Sequence, residues 1–225
     1  MEYLESQLIR RIDAAAVQEL GIPGLLLMEN AARGVCEVLE ACKPCGRIVI
    51  LCGPGNNGGD GLAVARLLAA NDIENEIHLV SAGKSLTSDA QSNLGFLQKS
   101  GIEVKIDNAE TIESVVSSLT SDDWIVDALL GTGISGTLRK PFYEIVEAIN
   151  QSVAQVMSID VPSGLNSDTG EPGIATVRAD ITVTFVATKH GFRFERALPY
   201  LGRIEVQQIG IPKKWLAAWC QTHQG

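Results

Sequence analysis

The chain has 225 residues, 45% of them hydrophobic and 20% charged, with a formal net charge of −9. That is enough chain for one sizeable globular core. No stretch approaches the roughly 20 uninterrupted apolar residues of a membrane span, and Glu2 and Glu5 stand where a signal peptide carries positive charge. A cytoplasmic location is therefore expected. An acidic surface repels nucleic acid at long range, so neither nucleic acid nor membrane is an expected partner.

In chain order, Asp13 reads as the cap of a short helix that runs to about Leu20. Gly21 breaks it, and Pro23 suits the first turn of a second helix. Met28, Ala32, Val35 and Leu39 recur there at helical spacing and make an apolar face, with Glu29 and Asn30 off the stripe and solvated. Cys42-Lys-Pro-Cys45 falls between this helix and the first strand, with no second pair and no clustered histidine to complete a zinc site. Five cysteines in a chain without a secretory signal read as free thiols.

From residue 47 onward strands and helices alternate. Strands are expected near 47–52, 76–80, 103–106, 124–129, 155–159, 181–186 and 203–208, and helices near 61–70, 87–100, 109–119, 141–150 and 213–220. Short β-branched runs separated by helices imply a mainly parallel sheet covered on both faces. The last strands lack a long helix between them, which suggests an antiparallel edge. One domain is expected, with N-terminal helices over 1–45, an α/β core over 46–212 and a short helix over 213–225.

The most specific segment is Arg47 to Gly61, a buried-strand run followed by Gly-Pro-Gly-Asn-Asn-Gly-Gly-Asp-Gly and then a helix. A glycine turn entering a helix presents backbone N–H groups to phosphate. A P-loop would follow its last glycine with Lys and Ser or Thr, but Gly59 is followed by Asp60 and Gly61. An ordinary NAD fold would place an acidic residue about 20 positions on, at the end of the second strand, where this chain has Ser81-Ala82-Gly83-Lys84. What remains is a phosphate-friendly turn carrying Asn56, Asn57 and Asp60, an oxygen-rich set suited to hydroxyls, an amide or a hard cation.

Ligands of open parallel sheets bind beyond the carboxyl ends of the strands, and the special residues collect there. After the fourth strand of the core comes Asp127-Ala-Leu-Leu-Gly131-Thr132-Gly133-Ile134-Ser135-Gly136-Thr137. The fifth leads into Asp160-Val-Pro-Ser163-Gly164 and the sixth into Thr188-Lys189-His190-Gly191. Asp127 and Asp160 each follow an apolar strand, where a charge is costly unless paired or liganded; turn capping is the simpler role for them. Ser163 with His190 raises a hydrolase reading, but no G-x-S-x-G elbow surrounds the serine.

Three of these segments, Gly53 to Gly61, Val126 to Gly133 and Asp160 to Gly164, resemble the signatures of the NAD(P)H-hydrate epimerases, also described as the YjeF N-terminal domain. Leu27 to Ala31, Ala179 to Phe185 and Ile209 to Pro212 fit weaker motifs of that family, so the resemblance spans nearly all of residues 1–212. It implies a Rossmann-like three-layer sandwich, potassium as cofactor, and the hydrated nucleotides NADHX and NADPHX as substrates. Matched by motif, Asn56, Asn57, Gly58, Gly59, Asp60, Gly131, Thr132, Gly133, Ile134, Ser135, Gly136, Thr137 and Asp160 would hold the substrate. Asn57, Asp127 and Ser163 would supply oxygens to potassium.

Hydration of reduced nicotinamide makes a hemiaminal at C6. Loss of its hydroxyl, assisted by the ring nitrogen, leaves a planar iminium-like carbon that water can attack from either face. Epimerisation then needs a group that protonates the leaving hydroxyl and deprotonates water, and Asp160 is the expected acid/base. A separate ATP- or ADP-dependent dehydratase would take the product, with a homodimer left open. The alternatives are a non-catalytic nucleotide- or protein-binding module on the same fold and a dehydrogenase. Three carboxylates at one sheet edge speak against the first. The 13 residues after Pro212 are too few for a second catalytic domain, so a stand-alone epimerase is expected.

Overall fold

A computed structural model describes residues 3–133 and 138–223. The chain opens with strand β1 (Tyr3–Leu4), α1 (Ser6–Leu20) and α2 (Gly24–Ala41), and then enters the alternating region. There follow β2 (Ile48–Cys52), α3 (Asn56–Ala70), β3 (Glu76–Leu79), α4 (Ser88–Lys99), β4 (Lys105–Ile106), α5 (Ala109–Ser117), β5 (Trp124–Ala128), α6 (Phe142–Gln151) and β6 (Gln155–Ile159). The chain ends with β7 (Ile181–Phe185), β8 (Thr188–Lys189), a pair of 3₁₀ turns, α7 (Leu198–Leu201), β9 (Arg203–Gln207) and α8 (Lys213–His223).

Seven strands form one sheet in the order β4-β3-β2-β5-β6-β7-β9, and every pairing in it is parallel. The expected antiparallel edge is therefore wrong. Residues 186–202, with their short helical turns, carry the chain back across the sheet, so β9 runs alongside β7 in the same direction. The order of the first six strands is that of a doubly wound nucleotide-binding sheet, with its topological switch between β2 and β5.

Side-chain alternation makes the three layers. Ile48, Ile50 and Cys52 of β2 enter the core that α2 and α3 cover, while Val49 and Leu51 enter the core under α5 and α6. The strands are buried on both faces, which explains their unbroken apolar runs. A smaller cluster of Val161, Leu165, Phe192, Ala197 and Leu201 fills the space beside β7.

Asp13 does not cap α1. It sits in the middle of a helix that begins at Ser6, and the cap comes from far along the chain: the Asp168 carboxylate accepts the Ser6 N–H at 2.6 Å. Beside it the Ser6 and Ser167 hydroxyls are 2.6 Å apart. Strand β1 adds to β8 in a separate two-stranded sheet, so the N-terminal segment is tied to the carboxyl edge of the main sheet. At the other end of α1, Trp219 of α8 donates its indole N–H to Glu19 at 3.3 Å, and the Arg11 guanidinium lies 5.6 Å from the Trp219 ring centroid. No helix among the described residues is long and apolar enough to cross a membrane.

Candidate active site at the topological switch

A cavity of about 670 Å3 opens at the carboxyl edge of the sheet, within the range of roughly 300–1,000 Å3 common for small-molecule sites. Its walls come from α1, α2, the turns after β2, β5 and β6, and the segment between β7 and β8.

The turn after β2 is shaped by contacts that admit no side chain. A Cβ on Gly53 would collide with the Leu129 carbonyl, and one on Gly58 with the carbonyl of Gly53. The chain can thus turn at once into α3, which starts at Asn56, five residues earlier than its glycine content suggests. Gly55 precedes it with no side chain capping the first amides, so the helix start offers N–H donors where Gly55, Asn56 and Asn57 line the cavity. Gly58 and Gly59 do not line it; they are buried behind the wall, with Gly59 against Met28. Asp60, one residue further into the helix, does reach the cavity.

After β5, Leu129 to Gly133 form the next wall. Behind them Asp127 is fully buried. Its Oδ2 accepts from the Ser158 hydroxyl at 2.8 Å and the Ser163 N–H at 2.9 Å, and its Oδ1 accepts the Ser163 hydroxyl at 2.6 Å. Burial raises its pKa despite these bonds. No cationic side chain pairs with it among the described residues. The Ser163 hydroxyl also accepts the Leu130 N–H at 3.0 Å, and the Asn57 amide donates to the Leu130 carbonyl at 3.0 Å. Asn57 and Ser163 therefore meet at Leu130, with Asp127 joined to them through Ser163, and the Asn57 Oδ1, though buried, has no hydrogen-bond partner among the described residues. His190 has a different partner, its Nδ1 lying 2.9 Å from the Asp168 carbonyl, which removes the hydrolase pairing.

At the ends of β6 and β7 two non-glycine residues take left-handed backbone angles, Asp160 at φ +66° and Val186 at φ +66°. Such angles are unfavourable, above all for a β-branched residue, and recur at functional sites. The first turns the Asp160 carboxylate into the cavity. The second redirects the chain so that Thr188 and Lys189 pair with β1 and the Lys189 ammonium, 1% exposed, lies 2.6 Å from Asp160 Oδ1.

Facing this ion pair is Asp13. Ile9, Arg10, Asp13, Ala14 and Val17 of α1 all line the cavity, one face of one helix. Burial raises the Asp13 pKa to about 6; the Lys189 ammonium opposes this, and the Asp160 carboxylate adds to it. Asp60 is pushed well above the ordinary carboxylate range by burial first and then by Asp160 and Asp13. The cavity therefore gathers four carboxylates, Asp13, Asp60, Asp89 and Asp160, around the buried Lys189 ammonium, with Arg10 and Lys84 also on its walls.

The family described as "YjeF-related protein N-terminus" matches residues 24–191. The chain belongs to this family. An NAD(P)H-hydrate epimerase of Rhodopirellula baltica is 42% identical over 210 residues, covering 93% of this chain and 85% of the relative. A bifunctional NAD(P)H-hydrate repair enzyme of Methanothermobacter thermautotrophicus is 40% identical over 217 residues, or 92% of this chain and 41% of that longer protein. A yeast protein of known crystal structure shares the fold, with a TM-score of 0.75 at 23% identity, covering 85% of this chain and 83% of its own.

The YjeF-related match takes in every glycine-rich turn and Lys189, but it begins at Gly24, so α1 and Asp13 lie outside it. Of the residues expected from sequence, Asn56, Asn57, Asp60, Gly131, Thr132, Gly133 and Asp160 do line the cavity. Ile134, Ser135, Gly136 and Thr137 lie outside the described residues. Sequence reasoning missed Asp13 and gave Lys189 no role. The one available signal was the helical spacing of Asp13 from Ile9 and Val17. Glu29 and Asn30 are not simply solvated: Glu29 pairs with Arg66, and Asn30 donates to the Ile209 carbonyl at 3.0 Å. Cys36, Cys42, Cys45 and Cys52 are free thiols.

Proposed function

We propose that this chain interconverts the R and S forms of hydrated NADH and NADPH. The observation that carries the reading is the Asp160–Lys189 ion pair on the cavity floor at the switch point of a nucleotide-binding sheet. The 42% identity to a protein named NAD(P)H-hydrate epimerase identifies the substrate class. Amides at the start of α3, with Asn56, Gly131, Thr132 and Gly133, hold the nucleotide, while Gly58 and Gly59 allow the close turn that brings those amides forward. Asp160 serves as acid/base at C6, with Asp60 beside it. The carboxylates also favour the cationic, iminium-like carbon that forms when the hydroxyl leaves.

Potassium is the cofactor the family resemblance implies, and the residues fit it. Asn57 Oδ1 is an orphaned buried acceptor, and Asp127 is a buried carboxylate among hydroxyl and carbonyl oxygens. Mixed carboxylate, amide, hydroxyl and carbonyl oxygens suit a hard cation. Bound there, potassium supplies a fixed positive charge that offsets Asp127. The S product then suits an ATP- or ADP-dependent dehydratase, a division of labour in keeping with the relative named as a bifunctional repair enzyme.

The test is chiral chromatography after incubation with pure R-NADHX. An R/S mixture approaching equilibrium far faster than in an enzyme-free control is expected. An epimer ratio that follows the control overturns the reading.

A further inference from the structure

Epimerisation by loss and return of water has a geometric requirement that a single acid/base does not meet. The hydroxyl leaves from one face of C6, and the incoming water must lose its proton on the other. Asp160 stands on the sheet side of the cavity, anchored by Lys189. Asp13 projects from α1, the helix that forms another wall of the same cavity. Its Oδ1 is buried without a hydrogen-bond partner among the described residues, so none of them employs that oxygen structurally.

We infer that the reaction uses two carboxylates on opposite faces of the reacting carbon, Asp160 from the sheet and Asp13 from α1. This rests on the epimerase reading above. In one direction Asp13, protonated, gives its proton to the C6 hydroxyl. The C6–O bond breaks as the ring-nitrogen lone pair forms the C=N bond, and one water leaves. A second water adds to C6 from the opposite face, the C=N electron pair returns to nitrogen, and the water's proton passes to the Asp160 carboxylate. The reverse reaction exchanges the roles. No redox partner is needed; the substrate is inverted with replacement of one oxygen, and the proton moved from Asp13 to Asp160 returns through solvent before the next turnover in the same direction.

The surrounding charges divide the labour. Lys189 satisfies Asp160 and leaves Asp13 and Asp60 without a paired cation. Burial first, and then Asp160, Asp13 and Asp89 as like charges, push the Asp60 carboxyl well above the ordinary carboxylate range, so a negative charge is disfavoured there. Asp13 shares its helix face with Arg10 on the cavity wall; burial raises its pKa to about 6, with Lys189 lowering it and Asp160 raising it. It thus stays able to exchange a proton near neutral pH, the range in which acid/base groups work best.

The experiment follows two signals in H2¹⁸O, inversion at C6 and ¹⁸O uptake into its hydroxyl, from each pure epimer. In the wild type both epimers show both. Asp13→Asn is expected to lower inversion at least ~100-fold. It should still exchange ¹⁸O with retention, within about tenfold of wild type, in the epimer whose hydroxyl faces Asp160, because there one carboxyl can serve both departure and return. Asp13→Glu should recover inversion at least tenfold over the Asn variant. Equal loss of exchange and inversion in Asp13→Asn, inversion within a few-fold of wild type, or no recovery by Glu each overturns the two-carboxylate scheme. A wild type that inverts neither epimer defeats instead the epimerase reading itself.

Discussion

Asp160 combines a strained backbone with a short ion pair, and both are needed to aim it. Its φ of +66° is tolerated because its N–H donates to the Val183 carbonyl at 2.7 Å, which fixes the turn from the neighbouring strand. Asparagine accepts left-handed angles about as readily as aspartate, so Asp160→Asn is expected to keep the fold. It should bind substrate within a few-fold and lower turnover by ~100-fold or more; near wild-type turnover would remove Asp160 from the chemistry. Asp13 makes the opposite trade. With its pKa raised from 3.8 to about 6, the folded state holds its proton more tightly than the unfolded chain. Stability from that proton is full below pH 4 and is lost as pH rises through about 6. Asparagine stays neutral throughout. Urea titrations should therefore show Asp13→Asn more stable than wild type by on the order of 1–3 kcal/mol at pH 8, with the gap closing by pH 4. A variant no more stable at pH 8 would show that the site does not penalise the charge.

At the scale of elements, what the sequence made legible was what the backbone pattern encodes. Apolar β-branched runs placed six of the seven main strands within a residue or two; only β4 is much shorter than expected, just Lys105 and Ile106. The start of α3 was misplaced because Gly58, Gly59 and Gly61 are poor helix formers. Tertiary contact decides there, since these glycines are needed for the close approach of Gly53, Met28 and Ala128. The antiparallel edge failed because short 3₁₀ turns, invisible to hydrophobic periodicity, do the work of a crossover helix. The turns after β2, β5 and β6 gather Asn57, Asp127 and Ser163, and that gathering can be tested without any catalytic assay. If potassium orders them, the thermal midpoint in potassium should exceed that in lithium by several degrees, as expected for a few kcal/mol of linked binding. Asn57→Ala should narrow the difference. Equal midpoints in the two salts would end the potassium assignment.

Across the whole molecule, four of the charged residues that line the cavity come from four distant segments: Asp13 from α1, Asp60 from α3, Asp160 after β6 and Lys189 from β8. Three of them lie at or next to strand ends and glycine turns, so their neighbourhood could be read along the chain. Asp13 could not, because its place depends on how α1 docks. That docking rests on remote contacts: Asp168 and Ser167 at Ser6, β1 on β8, and Trp219 against Glu19 and Arg11. The Asp168 carboxylate does for α1 what a capping residue normally does from within the helix, and losing such a cap costs about 1 kcal/mol. Asp168→Ala should therefore lower stability by about that amount in urea titration. If Asp13 acts from α1, the variant should also slow epimer inversion several-fold while leaving ¹⁸O exchange nearer wild type, because Asp160 and Lys189 are held from the sheet. Asp168→Asn, whose side-chain carbonyl can still accept the Ser6 N–H, should restore part of both losses. A stability loss of the expected size with inversion unchanged would mean that the position of α1, and Asp13 with it, is immaterial to the reaction.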